Sequence, residues 1–386
     1  MPTATEAYVA RPSRGINLEK VTYADPGPRM LTVDIVAASI CHTDVKAAEG
    51  TFHILPPLII GHEGSGYVKS VGEGVSYVKP GDAVVLSFAH CGGCKFCLSG
   101  RQPYCLHLPR WNFSGRAIDG AGADGAGDVD GGVVVKDAKG EAINGLFFGQ
   151  SSMSRVALVH ESSCVKVDVK GKEELEVFAS LGCGIQTGAG SIWNVARPPV
   201  GSSIVIFGGG AVGLSALLAA KTTAPGSLVL VDTSQTKLDI ISDEILSGVT
   251  VLNSKDLSHD ALVARLQQLS ADGEGMDFAL DCVGNERVIA AAADCLTKRG
   301  TVMTIGSTST TQAVFKTEKF LVFGLTYRGM HQGDSVPRVM IPEMIRQWRA
   351  GRFPFDKLLT RVEFKDLEKA LGGMHGGRVV KPLLVV

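Results

Sequence analysis

Excess charge of either sign is missing from this chain. Its 38 Lys and Arg stand against 39 Asp and Glu, a formal net charge of −1. No electrostatic field draws it to nucleic acid or anionic lipid, so small, near-neutral partners fit better. No leader is expected at the amino-terminal stretch either. The stretch MPTATEAYVARPSRG has no apolar core for secretion, and it carries Glu6 where an organelle presequence avoids acids. The expectation is a cytoplasmic protein. Internal repeats and coiled-coil heptads are absent, and no long apolar run is free of breakers. Pro198–Ala220 has no charged residue, yet glycines at 201, 208, 209, 210 and 213 interrupt it and no aromatic belt flanks it. It reads as a buried strand, a turn and a helix rather than a membrane span.

What is present is a globular composition. The 386 residues are 45% hydrophobic and 20% charged, with 47 Gly, enough chain for two or three domains with cores of their own. Nine cysteines in a chain expected to be reduced call for metal or catalysis before disulfides. From about Leu31 to Leu86 short β segments alternate with turn residues, an all-β or α+β beginning. Gly115–Gly132 holds seven Gly and four Asp and reads as a surface loop. After about Gly184 strands and helices alternate, the signature of a parallel sheet with crossover helices. SSIVIF, SLVLVD, VTVLN, MDFALDCVG and GTVMTIGS read as strands. AVGLSALLAAKTT and QTKLDIISDEIL read as helices, as do segments near VPRVMIPEMIRQWRAG and FKDLEKALGGM. A last strand, RVVKPLLVV, ends the chain.

Within the alternating region, Gly208-x-Gly210-x-x-Gly213 directly follows an apolar strand and opens a helix. An acid, Asp232, closes the next strand nineteen residues beyond Gly213. This is the context of a dinucleotide site. The first Gly allows the tight turn, the second admits the pyrophosphate, the third permits close helix packing, and the acid accepts from ribose hydroxyls. Thr233, Ser234 and Gln235 supply no Arg for a 2′-phosphate, which favours NAD over NADP.

Cys91-x-x-Cys94-x-x-Cys97 and Cys105 offer four thiolates within fifteen residues. Four soft ligands close a tetrahedral Zn²⁺ shell and leave no position for substrate, so this is a structural site; an iron–sulfur cluster is the competing use of such a run. Cys41 in ICHTD, His62 in GHEGSG and Cys183 in LGCGIQTG form a second set. Two Cys and one His with a vacant fourth position are the pattern of a catalytic zinc.

Taken together, the CHTD, GHE, four-cysteine, LGCGIQTG and GGGAVG blocks resemble, in order and spacing, the zinc-dependent medium-chain alcohol dehydrogenases over nearly the whole chain. FFGQSS, LGCGIQTGAG and GRFPFDKL look most like the aryl-alcohol (benzyl alcohol) branch. The resemblance implies a Rossmann doubly wound parallel sheet domain plus a discontinuous, mainly β, GroES-like catalytic domain. Residues 1–184 and 329–386 would form the latter and 185–328 the NAD-binding domain. It implies Cys41, His62 and Cys183 as catalytic zinc ligands, with Glu63 beside the metal and Asp44 orienting the ligand His. Thr43 would bond the substrate oxygen and begin a proton relay. His42 and Arg378 would contact the pyrophosphate, Lys237 the adenosine ribose, and Val212 and Thr187 the nicotinamide surroundings. Where many members keep a relay His, this chain has Lys46, so the relay ends there or at a cofactor ribose and solvent.

The reading is therefore an NAD-linked enzyme carrying two zincs per chain, interconverting a primary aryl or allylic alcohol and its aldehyde, as a homodimer or homotetramer. Ser87, Phe88, Phe147 and Phe148 are candidate pocket residues, with core packing the competing role for the last two. Cys164, Cys282 and Cys295 are assigned to packing. Competing readings are a zinc dehydrogenase for aliphatic alcohols or the glutathione adduct of formaldehyde, a C=C reductase, and a non-catalytic zinc or nucleotide binder. Complete ligands and Thr43 argue against the reductase, and intact Thr43 and Asp44 against the binder.

Overall fold

The computed structural model describes residues 2–117, 132–306 and 312–386; most of the Gly/Asp-rich stretch read as a loop lies outside them. Ser203–Phe207 is buried at all five positions. A β-branched segment with no polar face can lie only inside a sheet covered on both sides, and that favours parallel pairing. The strand indeed pairs in parallel on both edges, Ile204 opposite Leu228 and opposite Phe278. The six parallel strands run Thr250–Asn253, Ser227–Asp232, Ser203–Phe207, Met276–Asp281, Leu296–Thr304 and Thr326–Gly329 across the sheet. Strand order thus reverses beside Ser203–Phe207, where a crevice opens at the carboxyl ends.

The helix Ala211–Lys221 is buried continuously from Gly213 to Ala220, as expected for a helix covered all round. Its second neighbour is the helix Gly184–Gly190. A Cβ on Gly188 would meet the Val212 carbonyl oxygen at 2.2 Å, so glycine is what lets the two backbones meet.

The stretch QTKLDIISDEIL, expected as one helix, is two: Gln235–Asp239 and Asp243–Leu246. Ser242 between them is extended, with φ −65° and ψ 148°, and serine before two acids is a better helix start than helix interior.

Two further sheets are formed by the described residues. One runs Leu58–Ile59, Thr3–Arg11, Gly15–Tyr23, Val135–Asp137 and Ala142–Ile143. The other runs Cys164–Lys166, Ala83–Leu86, Gly64–Val71, Met30–Ser39, Lys381–Val385 and Leu359–Glu363, with Val156–His160 also on Met30–Ser39. In this sheet the carboxyl-terminal strand pairs with the amino-terminal one, Leu383 opposite Ser39. The registers Ala38–Gly64 and Leu383–Ser39 bring three chain segments to one end of the sheet. There the chain exits at Cys41, enters just after His62 and Glu63, and begins its last strand at Lys381. Among the described residues no helix is long and apolar enough to cross a membrane.

Candidate active site

The sheet end places Cys41, His62 and Glu63 together, and Cys183 joins them from the start of the helix Gly184–Gly190. One ligand atom from each of the four lies within 4.8 Å of the others. Asp44, buried on the short helix His42–Ala48, orients the set. Its Oδ1 bonds His62 Nδ1 at 2.8 Å and accepts from the Gly61 N–H at 3.0 Å, and its Oδ2 accepts from the Cys41 N–H at 2.9 Å. With Nδ1 committed to the carboxylate, the lone pair of Nε2 is left for a metal. His62 Nε2 and Glu63 Oε2 are buried with no hydrogen-bond partner among the described residues. Buried orphaned acceptors beside two thiols fit a cation.

The same buried groups perturb one another, and a cation at His62 Nε2 would take the place of a proton. Burial pulls the His62 pKa down, but the Asp44 carboxylate outweighs it and carries it to about 10. The Cys41 thiol is held low, chiefly by a hydrogen bond from Cys183 and then by His62 and Lys381. Glu63 is pushed up by burial, against the pull of Lys381. Lys381 is 2% exposed; its Nζ donates to Glu63 Oε1 at 2.7 Å and to the Ile40 carbonyl at 3.1 Å. Sequence reasoning missed Lys381. The available signal was one charge inside the apolar run RVVKPLLVV.

An aromatic wall begins at the His62 ring. Phe148 stacks on it with centroids 4.6 Å apart, and Phe147 meets it edge-on at 5.5 Å. Phe113 and Phe52 extend the wall through edge contacts at 5.3 and 5.2 Å; neither was singled out from the sequence. Phe88 packs in the same core. Ser87 is buried, donating to the Gly182 carbonyl at 2.7 Å next to Cys183, and Gln150 Nε2 ties the carbonyls of His62 and Ser87 together at 2.9 and 2.7 Å. Thr43 Oγ1 lies 3.7 Å from Cys41 Sγ. Lys46 is on the exposed side of its helix.

The nucleotide motif has the expected geometry. Gly208 has φ +103°, and a Cβ on Gly213 would meet the Gly208 carbonyl oxygen at 1.9 Å. Gly210 starts the helix Ala211–Lys221. Asp232 Oδ2 accepts from the Gly209 N–H at 2.7 Å and Oδ1 from the Ser234 N–H at 2.8 Å, fixing the acid at the mouth of the crevice. Val212 lies 3.8 Å from where a Gly184 Cβ would be, which joins the nucleotide turn to the metal ligands. Thr187, one turn along from Cys183, donates its N–H to the Cys183 carbonyl at 2.8 Å. Desolvation lowers the His42 pKa, and Lys237, Lys381 and His375 lower it further; this gathers basic groups on the crevice. Gly377 packs on Lys237, whereas Arg378 is exposed and lies against Gly376.

The four-cysteine lobe is a second centre. Cys91, Cys94, Cys97 and Cys105 have their sulfurs within 4.8 Å of one another, Cys94–Cys97 at 3.5 Å and Cys91–Cys97 at 3.9 Å. Zn–S bonds of about 2.3 Å place tetrahedral sulfurs about 3.8 Å apart, so one ion fits; an iron–sulfur cluster would hold its thiolates further apart. Three of these cysteines are the buried core of the lobe, with Cys91, Phe96 and Leu108 partly buried against them. Cys164 and Cys295 are buried in separate cores, and Cys282 sits half-buried against Gly208.

Comparison with known proteins agrees with this geometry. Residues 27–169 match the alcohol dehydrogenase GroES-like domain, and residues 211–348 match the zinc-binding dehydrogenase family. A geraniol dehydrogenase of Castellaniella defragrans is 37% identical over 385 residues, covering 99% of this chain and 98% of that protein. A class-3 alcohol dehydrogenase of Oryza sativa subsp. japonica is 32% identical, covering 99% and 96%. Among solved structures, the benzyl alcohol dehydrogenase of Acinetobacter calcoaceticus superposes with a TM-score of 0.88 at 31% identity, over 100% of this chain and 99% of that one. The chain belongs to the zinc-type medium-chain alcohol dehydrogenases, a Rossmann domain joined to a GroES-like domain, and is an oxidoreductase acting on alcohols.

Proposed function

We propose that this chain is an NAD-linked dehydrogenase interconverting a primary aryl or allylic alcohol and its aldehyde. The observation that carries the substrate class is the aromatic cluster that begins at the His62 imidazole, in which Phe147 and Phe148 are core residues at 0% and 6% exposure and Phe113 and Phe52, half-buried, are the rings assigned to the substrate. Flat π-faces suit a flat, apolar substrate and offer nothing to an anionic one. Geraniol and benzyl alcohol dehydrogenases among the relatives support the same class. Asp232, with both oxygens held by backbone N–H groups, favours ribose hydroxyls and repels a 2′-phosphate, which supports NAD over NADP.

Cys41, His62 and Cys183 would hold the catalytic zinc and the four-cysteine lobe a structural one. Bound zinc supplies Lewis acidity that makes a hydroxyl acidic near neutral pH. Asp44 keeps the His62 ring in the tautomer that offers Nε2. Thr43 Oγ1 takes the substrate hydroxyl proton and passes its own onward, with Lys46 further along the same helix as the candidate end of the relay. Lys381 neutralises Glu63, so the pocket floor carries no unpaired charge. His42, Lys237 and Arg378 are assigned to the cofactor's phosphates and adenosine ribose, and Val212 and Thr187 to its nicotinamide end. The domain division is 1–184 with 329–386, and 185–328. The assembly is a cytoplasmic homodimer or homotetramer.

The test is metal analysis with an alcohol panel, using NAD and NADP. Two zincs per chain, NAD reduction with benzyl, cinnamyl and geranyl alcohols well above ethanol, and one zinc with no activity in Cys41→Ser are expected. Preference for ethanol or for the glutathione adduct of formaldehyde would overturn the substrate class.

A further inference from the structure

Three consecutive residues, Gln332, Gly333 and Asp334, have φ of +51°, +66° and +48°. A left-handed run with two non-glycine members is strained and persists only where its surroundings over-determine it. On one side, a Cβ on Gly190 would meet the Gly333 carbonyl oxygen at 2.3 Å, so the turn is wedged against the helix that begins at Cys183. On the other side stands the four-cysteine lobe. Tyr104, the residue before Cys105, donates its hydroxyl to Asp334 Oδ1 at 2.5 Å and accepts the His331 N–H at 3.3 Å. His331 Nδ1 bonds the Pro103 carbonyl at 3.0 Å.

The clamped turn delivers one side chain to the metal site. Gln332 is 6% exposed, and its Nε2 donates to Cys183 Sγ at 3.8 Å. Its Oε1 is buried with no partner among the described residues. Burying an amide with an empty acceptor is unfavourable, and a leucine of similar size would fill the space without that penalty. The donor, aimed at a sulfur, is what distinguishes glutamine here.

We propose that Gln332 is a positioning residue for the Cys183 thiolate, held in place by the four-cysteine lobe through Tyr104, so that the two metal centres are mechanically linked. The inference rests on the zinc-dehydrogenase reading. An N–H aimed at a metal-bound thiolate fixes its direction and withdraws charge from it, and partners of this kind are worth roughly 10–100-fold in metal affinity.

The test uses the full-length protein with cobalt(II) exchanged into its metal sites, comparing wild type with Gln332→Leu and Tyr104→Phe. Three readouts apply: metal content, the sulfur-to-cobalt charge-transfer band, and the rate at which EDTA removes each ion. Gln332→Leu is expected to keep two ions per chain and the wild-type circular dichroism. Its charge-transfer band moves to longer wavelength, and the ion at Cys41, His62 and Cys183 leaves about tenfold faster. Tyr104→Phe is expected to move both quantities in the same direction by a smaller factor. A Gln332→Leu protein with wild-type band position and release rate overturns the positioning role. Wild-type behaviour of Tyr104→Phe overturns the link to the lobe. Wild type that takes up metal only in the lobe overturns the underlying reading, and the proposal with it.

Discussion

Replacing Lys381 by methionine removes a buried cation whose only charged hydrogen-bond partner among the described residues is Glu63. The lysine is 2% exposed and its Nζ is 2.7 Å from Glu63 Oε1. Methionine keeps the volume of the stem but leaves a carboxylate buried at 0% exposure, with one remaining donor, the Gly184 N–H at 3.2 Å. Stranding one member of a buried pair costs about 3–5 kcal/mol. Losing the bond to the Ile40 carbonyl adds about 1 kcal/mol. The expected loss is therefore about 4–6 kcal/mol, measured by equilibrium urea unfolding of the metal-loaded protein at pH 7. Glu63→Gln in the same background removes the stranded charge and should restore at least about 2 kcal/mol, a coupling well outside additivity. A loss below about 1 kcal/mol for Lys381→Met, or no recovery in the double variant, refutes the reasoning.

Gly213→Ala places a methyl 1.9 Å from the Gly208 carbonyl oxygen, backbone that cannot step aside; NAD binding, followed by cofactor fluorescence, should fall at least about tenfold with the metal content unchanged. Asp232→Asn keeps an acceptor for one backbone N–H but loses the charge, so the preference for NAD over NADP, read as the ratio of kcat/KM values, should narrow about tenfold. Cys97→Ser should lose one metal ion per chain, and the lobe should become the first site of proteolytic cleavage, because its buried residues are mainly its own ligands. His160 is 5% exposed, and burial followed by the positive charges of Arg29, His90 and Arg338 pushes its pKa down to about 3. The unfolded chain binds the proton from about 6.5 downward while the folded chain does not, so this group costs nothing above pH 6.5 and destabilises as pH falls from there towards 3. Between pH 6.5 and 4 the cost is about 3 kcal/mol, and His160→Gln should flatten the unfolding midpoint over that window relative to wild type.

Legibility in the sequence followed how local each signal is. The Gly208–Gly213 turn, Asp232 and the four-cysteine loop carry their chemistry within short windows, so their spacing alone located them. Cys41, His62 and Cys183 are far apart in sequence and group only by ligand type, two Cys and one His, with the resemblance assigning their roles; what joins them in space is the register Ala38–Gly64 and the helix starting at Cys183. Lys381 and Gln332 act through partners more than a hundred residues away. Their roles depend on tertiary placement, which periodicity does not encode. Phe52 and Phe113 reach the wall from separate segments for the same reason. The break at Ser242 was readable in principle, since a serine before Asp243 and Glu244 is a start signal, but the apolar spacing on either side outweighed it.

The lobe built on Cys91, Cys94, Cys97 and Cys105 has a consequence for how the protein ages. Its sulfurs sit so near one another that, once an ion escapes, air oxidation competes with metal uptake for the same atoms. A chelated sample left without reductant would thus close on itself, and added zinc alone would not reopen it; thiol first, then metal, is the order that brings it back.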